Sequence, residues 1–98
     1  MKFLLISNHT GGMEVLENDK ELHLKAFGEW LQMINPIAAL PVHGGVTITS
    51  KTVEEYKGGV AGALLFEASS LEEAIEKTQK SPGLKYGWTH DVLKEMPM

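Results

Sequence analysis

The feature that most constrains the fold is the segment of residues 63–82, where an apolar run leads directly into a capped helix. Residues 60–68 are almost all apolar, which is typical of a strand buried on both faces. Two serines follow at positions 69 and 70, and each has a glutamate three residues later, which predicts a helix N-terminus. The helix should stop before Pro82. Its expected inward side chains are Leu71, Ala74, Ile75 and Thr78.

The N-terminal part repeats this plan. Residues 2–7 predict a short buried strand, and residues 8–12 carry turn chemistry. A capping box that begins at Asn18 predicts the start of a first helix, and Asn35-Pro36 predicts its end. The side chains expected to face inward recur at helical spacing and are Leu24, Phe27, Leu31 and Ile34.

The remaining elements complete an alternating order. Residues 37–40 predict a strand, residues 46–49 and 52–56 a small hairpin, and residues 86–93 a last strand. This order predicts an α+β, ferredoxin-like βαββαβ fold with an antiparallel sheet and an extra β-hairpin in the middle. The 98 residues are enough for one core, so we expect a single domain over residues 1–98.

Composition excludes several classes of function. The formal net charge is −4, whereas nucleic-acid binding needs a basic face, so we expect no nucleic-acid partner. The chain contains no cysteine, which removes disulfides and thiolate chemistry. The apolar run at residues 3–6 is too short for a signal peptide or a membrane span. We therefore expect a cytoplasmic protein without a membrane partner.

Both faces of the predicted sheet are apolar. In the first strand Phe3 and Leu5 lie on one face, while Leu4 and Ile6 lie on the other. Two helices cover only one face, and a face left in water should be polar. We therefore expect a homodimer that buries the second face. The alternative is a sheet that curls around its own hairpin.

Residues 65–74 and Ser81-Pro82 resemble the strand–helix core of the YCII-related family. Residues 58–62 and 86–98 resemble the longer members, which include proteins named after a DGPF motif, and residues 23–30 are similar to the family's first helix with its histidine. The resemblance implies a dimeric α/β barrel with a cleft between the sheets.

The resemblance also implies that the first-helix histidine, here His23, acts as an acid/base in some members. Those members pair it with an aspartate just before the proline that follows the second helix. Ser81 occupies that position here, so the dyad is missing. Residues 56–59 stand roughly where the DGPF motif would fall and do not match it. Both departures weaken the implied catalytic role.

The residues themselves point to a possible site. His23 falls at the edge of the inward stripe, beside Phe27 and Trp30, where a partly buried histidine can act as acid or base. Trp88 and His90 share one face of the last strand. We expect Trp30, Trp88 and His90 to bind a ligand. The alternatives are a structural histidine at position 23 and simple aromatic packing around position 90.

Other candidates are less specific. His9 and His43 stand beside glycine pairs, which predict turns. The four histidines lack the spacing of a local metal site, so we expect no metal and no cofactor. Two functions remain open. The first is a YCII-related protein that binds a small molecule in a cleft of the dimer, with His23 as acid/base. The second is a non-catalytic homodimer acting as a structural or partner-binding accessory protein. A cavity beside His23 would favour the first.

Overall fold

The computed structural model describes residues 1–9 and 17–97, so residues 10–12 of the predicted turn lie outside the described residues. Within these ranges every predicted strand and helix is present. The elements are β1 (Lys2–Asn8), α1 (Lys20–Ile34), β2 (Ala38–Pro41), β3 (Val46–Ile48), β4 (Val53–Glu55), β5 (Val60–Glu67), α2 (Leu71–Gln79) and β6 (Thr89–Lys94), with 3₁₀ turns at Glu17–Asp19 and Pro82–Tyr86.

The sheet has the predicted ferredoxin-like topology. Its strand order is β2-β5-β1-β6, and all neighbours are antiparallel. Among the described residues, β3 and β4 pair only with each other and form the extra hairpin, which is exposed throughout. Both helices contribute to the core on one face of the four-stranded sheet. Among the described residues, no helix combines the length and apolar character needed to cross a membrane.

Helix α1 differs from its prediction at the N-terminus and in its inward face. It begins after Asp19, whose side chain makes no capping hydrogen bond, so the capping box at Asn18 was wrong. Trp30 and Ile34 are buried, whereas Leu24 is 69% exposed. The physical reason is the large indole of Trp30, which is buried and donates a hydrogen bond to the Lys77 carbonyl of α2 at 2.8 Å. This contact turns the face of α1 that carries Trp30 and Ile34 towards the core.

Helix α2 begins as predicted, and both serines take part. Ser70 Oγ accepts a hydrogen bond from the Glu73 backbone N–H at 3.1 Å, and the Glu73 carboxylate accepts one from the Ser69 hydroxyl at 2.6 Å. This bond and the nearby Lys77 ammonium lower the pKa of Glu73. Of the predicted inward residues, Ala74 and Thr78 are buried, whereas Ile75 is exposed.

The last strand starts later than predicted. Tyr86 belongs to the 3₁₀ turn, Trp88 precedes the strand, and β6 begins at Thr89. The Ser81 hydroxyl accepts a hydrogen bond from the Gly83 N–H, and Gly87 takes a left-handed conformation with φ of 85°. These local interactions favour a turn over a strand. Tyr86 and Trp88 therefore lie outside the strand, whereas His90 and Val92 lie within it.

The helix-covered face of the sheet has two different ends. At the packed end the side chains are large, apolar and buried, and they are Phe3, Leu5, Leu64 and Phe66. At the hollow end one row crosses all four strands in register and is formed by Pro41, Gly62, Ser7 and His90. No member of the hollow end is a large aliphatic or a phenylalanine, so this row leaves space beneath α1.

The opposite face of the sheet is apolar, as predicted, and open. Leu4 is 39% exposed, Leu93 51% and Leu40 65%. No element of the described ranges covers this face, because both helices pack on the other side.

Candidate functional site

A cavity of about 260 Å³ lies at the hollow end. It exists because β1 and β5 present the small residues Ser7 and Gly62 there. Gly62 suits the close packing at this point, since a Cβ here would lie 3.3 Å from the Leu40 carbonyl oxygen of the neighbouring strand, which is closer than most such contacts. The described residues that line the cavity are Ser7, Phe27, Trp30, Leu31, Ala39, Leu40, Pro41, Ala61, Gly62, Ala63, Leu64 and Trp88.

The chemistry of this wall is aromatic and uncharged. Both tryptophans of the chain line the cavity, and none of the lining residues named above carries a charge. The indole N–H of Trp30 is already bonded to the Lys77 carbonyl. Ser7 contributes a hydroxyl to this wall. A bound molecule would contact this polar group among apolar surfaces.

Behind Ser7 lies a chain of hydroxyl and imidazole groups. Ser7 Oγ is 3.0 Å from His90 Nδ1, and His90 Nε2 is 2.8 Å from Ser81 Oγ. Ser81 is only 7% exposed. The imidazole also stacks on Trp30, with 6.0 Å between ring centroids and 15° between the planes. Because a hydroxyl can donate or accept, both ring nitrogens are satisfied in either neutral tautomer.

Partial burial lowers the pKa of His90 below its ordinary value of 6.5, and the nearby Asp91 carboxylate opposes this shift. Asp91 points to the other face of the sheet, where it accepts a hydrogen bond from Asn8 Nδ2 at 3.0 Å. His90 is therefore neutral at pH 7 and can accept a proton.

His23 occupies a different place. It is not among the residues that line the cavity, and its ring packs edge-to-face on Tyr86 with centroids 5.1 Å apart. Its Nδ1 is buried and has no hydrogen-bond partner among the described residues. The structure thus groups Trp30, Trp88 and His90 at the hollow end and sets His23 apart. An acid/base role for His23 stays a prediction.

Ser7 and the partner of Ser81 were not predicted from the sequence. A signal for Ser7 was present, because position 7 is in phase with the inward Phe3 and Leu5. A polar residue at such a position needs a hydrogen-bond partner. Only the strand register shows that this partner is His90.

The loop histidines differ from each other. His43 lies in the loop before β3, next to Gly44 and Gly45, which have positive φ angles of 71° and 133°. His9 instead stacks on Trp88, with ring centroids 4.7 Å apart. Trp88 packs on Gly83, where a Cβ would lie 3.2 Å from its Cγ. Within the described ranges, no group of three or more histidine, aspartate or glutamate side chains is placed to hold a metal ion.

The protein is similar in fold to a solved structure, although its sequence matches no known family. No protein-family model matches the sequence, and no curated protein matches it. The structure is similar to 5-chloro-2-hydroxyhydroquinone dehydrochlorinase (TftG) from Burkholderia phenoliruptrix AC1100, solved in complex with 2,5-dihydroxybenzoquinone. The TM-score is 0.62 and the identity 19%, over 98% of this chain and 94% of that one.

A second structure, of At3g17210 from Arabidopsis thaliana, aligns over 99% of this chain and 96% of that one. Its TM-score of 0.39 and identity of 14% are too low to support an argument. The similarity to the dehydrochlorinase extends over nearly the whole of both chains and supports the ferredoxin-like fold seen here.

Proposed function

We propose that residues 1–98 form a single-domain, cytoplasmic, YCII-related protein that binds a small, flat, uncharged ring compound at the hollow end. The observation that carries this proposal is the cavity of about 260 Å³ between two tryptophans, with no charged residue in its described lining. An apolar cavity of roughly 150 Å³ already holds benzene, so this volume suits one ring or two fused rings. Aromatic walls favour a planar occupant.

The structure of the similar dehydrochlorinase supports the proposed size of the ligand. Its structure holds 2,5-dihydroxybenzoquinone, a compound with a single six-membered ring. At 19% identity this likeness concerns the fold, and it makes a ring compound a reasonable first probe without identifying the natural ligand.

Any chemistry within this proposal is proton transfer by a histidine. The family resemblance assigns that role to His23. The cavity geometry favours His90, because its bonded partner Ser7 and its stacking partner Trp30 both line the cavity. We therefore place His90 first and keep His23 as the alternative.

The test uses tryptophan fluorescence, because both tryptophans lie in the cavity wall. The probe is 4-nitroanisole, a neutral one-ring compound whose nitro group quenches tryptophan emission. Ala39→Leu should fill the cavity from β2 and weaken binding at least ten-fold. The matched control is Ala38→Leu, since Ala38 is the preceding residue of the same strand and points to the opposite face.

Saturable quenching that Ala39→Leu abolishes and Ala38→Leu preserves is the expected result. Free N-acetyl-tryptophanamide, titrated in parallel, measures collisional quenching. Linear quenching of the folded protein, equal to that of the free compound, would overturn the proposal.

A second candidate function is a non-catalytic homodimer that acts as a structural or partner-binding protein. The observation that favours it is the open apolar face with Leu4, Leu40 and Leu93. Sedimentation should show a dimer whose dissociation is increased by Leu93→Lys. Leu24→Lys is the control, because Leu24 is similarly exposed but lies on α1. A wild-type protein that stays monomeric at high concentration would exclude this candidate.

A further inference from the structure

We propose that Ser7 contacts the bound ring compound and passes the proton of an acidic ligand hydroxyl to His90, while Ser81 holds the far side of the imidazole. This inference rests on the proposed small-molecule site and adds a chemical class of ligand to it: a phenol or an enol. Ser7 would be the catalytic residue, because its side chain lies in the cavity wall. His90 would be the base that acts through Ser7, and Ser81 would position the imidazole.

The arrangement of Ser7, His90 and Ser81 supports this relay. The three polar groups form one continuous line, with 3.0 Å from Ser7 Oγ to His90 Nδ1 and 2.8 Å from His90 Nε2 to Ser81 Oγ. One end of this line opens into the cavity, and the other ends at the buried Ser81. Stacking on Trp30 holds the ring plane. A nucleophile or proton donor, a base and a group that orients the base form this kind of chain in many active sites.

The proton step balances without any further reactant. The ligand O–H bond breaks as its proton bonds to Ser7 Oγ, and the Ser7 hydroxyl proton moves to His90 Nδ1. The products are a ligand oxyanion and an imidazolium that donates from Nε2 to Ser81 Oγ. Ser7 regains its original protonation state, so it serves as a relay.

The identity of Ser81 restricts the ligand. A carboxylate in its place would stabilise the imidazolium, whereas a neutral hydroxyl does so only weakly. His90 is also partly buried, and burial lowers its pKa. A base of this strength removes protons only from acidic hydroxyls, which points to phenols with electron-withdrawing groups and to enols.

The charges around His90 agree with this assignment. On its own strand Asp91 faces away, towards Asn8. On α2 the Lys77 ammonium is paired with Glu73 at 3.2 Å, and on α1 the His23 ring packs on Tyr86. None of these groups makes a hydrogen bond or ion pair with the His90 ring. Among the described residues, the direct polar contacts of the ring are the two serine hydroxyls.

The experiment compares 4-nitrophenol, which ionises near neutral pH with a visible spectral change, with its methyl ether 4-nitroanisole. The wild type should prefer the phenol about five- to ten-fold, as expected for one added hydrogen bond to a polar partner. At a pH where free 4-nitrophenol is mostly neutral, the bound form should show a larger share of the phenolate spectrum than the free compound. The pH midpoint of the bound phenol should therefore lie below that of the free phenol.

Ser7→Ala should reduce the affinity ratio of the two compounds to about one and shift the bound phenol to its neutral spectrum. Ser7→Thr keeps the hydroxyl and should restore both signals. His90→Gln keeps polar contacts but cannot titrate, so the bound spectrum should again be neutral. Ser50→Ala, in the exposed turn of the hairpin, is the control. Thermal unfolding establishes that each variant is folded.

The outcomes separate the two proposals. Saturable binding of both compounds with equal affinity, and a neutral bound phenol, would overturn the relay and leave the small-molecule site standing. A phenolate spectrum that persists in Ser7→Ala would exclude Ser7 as the relay. A folded wild-type protein that binds neither compound would overturn the small-molecule site itself.

Discussion

The packed end and the hollow end of the sheet lie on the same face, yet strands β1 and β5 change from large to small side chains between them. Strand β1 presents Phe3 and Leu5 at the packed end and Ser7 one step further on. Strand β5 presents Phe66 and Leu64 and then Gly62. The difference shows that a cavity can arise in a regular sheet where neighbouring inward residues, here Ser7 and Gly62, are small. The hollow end then provides polar atoms where the packed end has none.

The largest expected effect comes from a matched pair on β1. Leu5→Ala should lower the free energy of unfolding by about 2–5 kcal/mol, because it opens a cavity in the packed end. Ser7→Ala should cost about 1 kcal/mol, the net value of its hydrogen bond to His90. Urea unfolding measures both. Equal costs would mean that the two ends do not differ in packing.

The second prediction concerns the tryptophans that line the cavity. Trp30→Phe should lower the free energy of unfolding by about 1–3 kcal/mol, because Trp30 is buried and loses its bond to the Lys77 carbonyl. Trp88→Phe should cost less, since Trp88 is half-buried. Binding of 4-nitroanisole should weaken in both variants. A Trp88→Phe protein that is the less stable of the two would contradict this order.

The third prediction places a charge at the hollow end. Ser81→Asp should raise the pKa of His90 above its wild-type value, because a carboxylate beside Nε2 stabilises the imidazolium. Ser81→Asn is the uncharged control of similar size. An NMR titration of the His90 ring protons measures both variants. If the two gave the same titration midpoint, direct contact between position 81 and His90 would be excluded.

The smallest effect is a pH dependence of stability. The folded-state pKa of His90 is lowered, so the unfolded chain binds the proton more readily. Its contribution to stability is therefore complete above pH 6.5 and is lost as the pH falls through the folded-state pKa. In His90→Gln this part of the acid-induced loss should be absent. His43→Gln, in an exposed loop, should retain it, and urea unfolding across this range provides the measurement.

Local sequence patterns predicted most elements of the fold. The serine–glutamate pairs located the start of α2, and apolar runs located β1 and β5, because capping and alternation act over only a few residues. The last strand was placed too early because the pattern of residues 86–93 does not reveal the 3₁₀ turn that Ser81 and Gly87 stabilise. The inward face of α1 also differs from its prediction. It depends on the hydrogen bond from Trp30 to the Lys77 carbonyl of α2, which the pattern of α1 alone does not reveal.

The candidate site was predictable only in part. Trp30, Trp88 and His90 were named from the sequence, and all three lie at or directly behind the cavity. Ser7 was not named, because a serine near the end of a strand has no distinguishing local pattern. Its importance depends on facing His90 across more than eighty residues of chain.

By itself the sequence determined the order of strands and helices, the capped start of α2 and the apolar character of both sheet faces. These properties follow from local hydrogen bonding and from side-chain alternation. Only the tertiary structure decided that Pro41, Gly62, Ser7 and His90 form one row and that Ser81 contacts His90. Strand register and helix docking set these contacts, and both depend on interactions between residues that are distant in the chain.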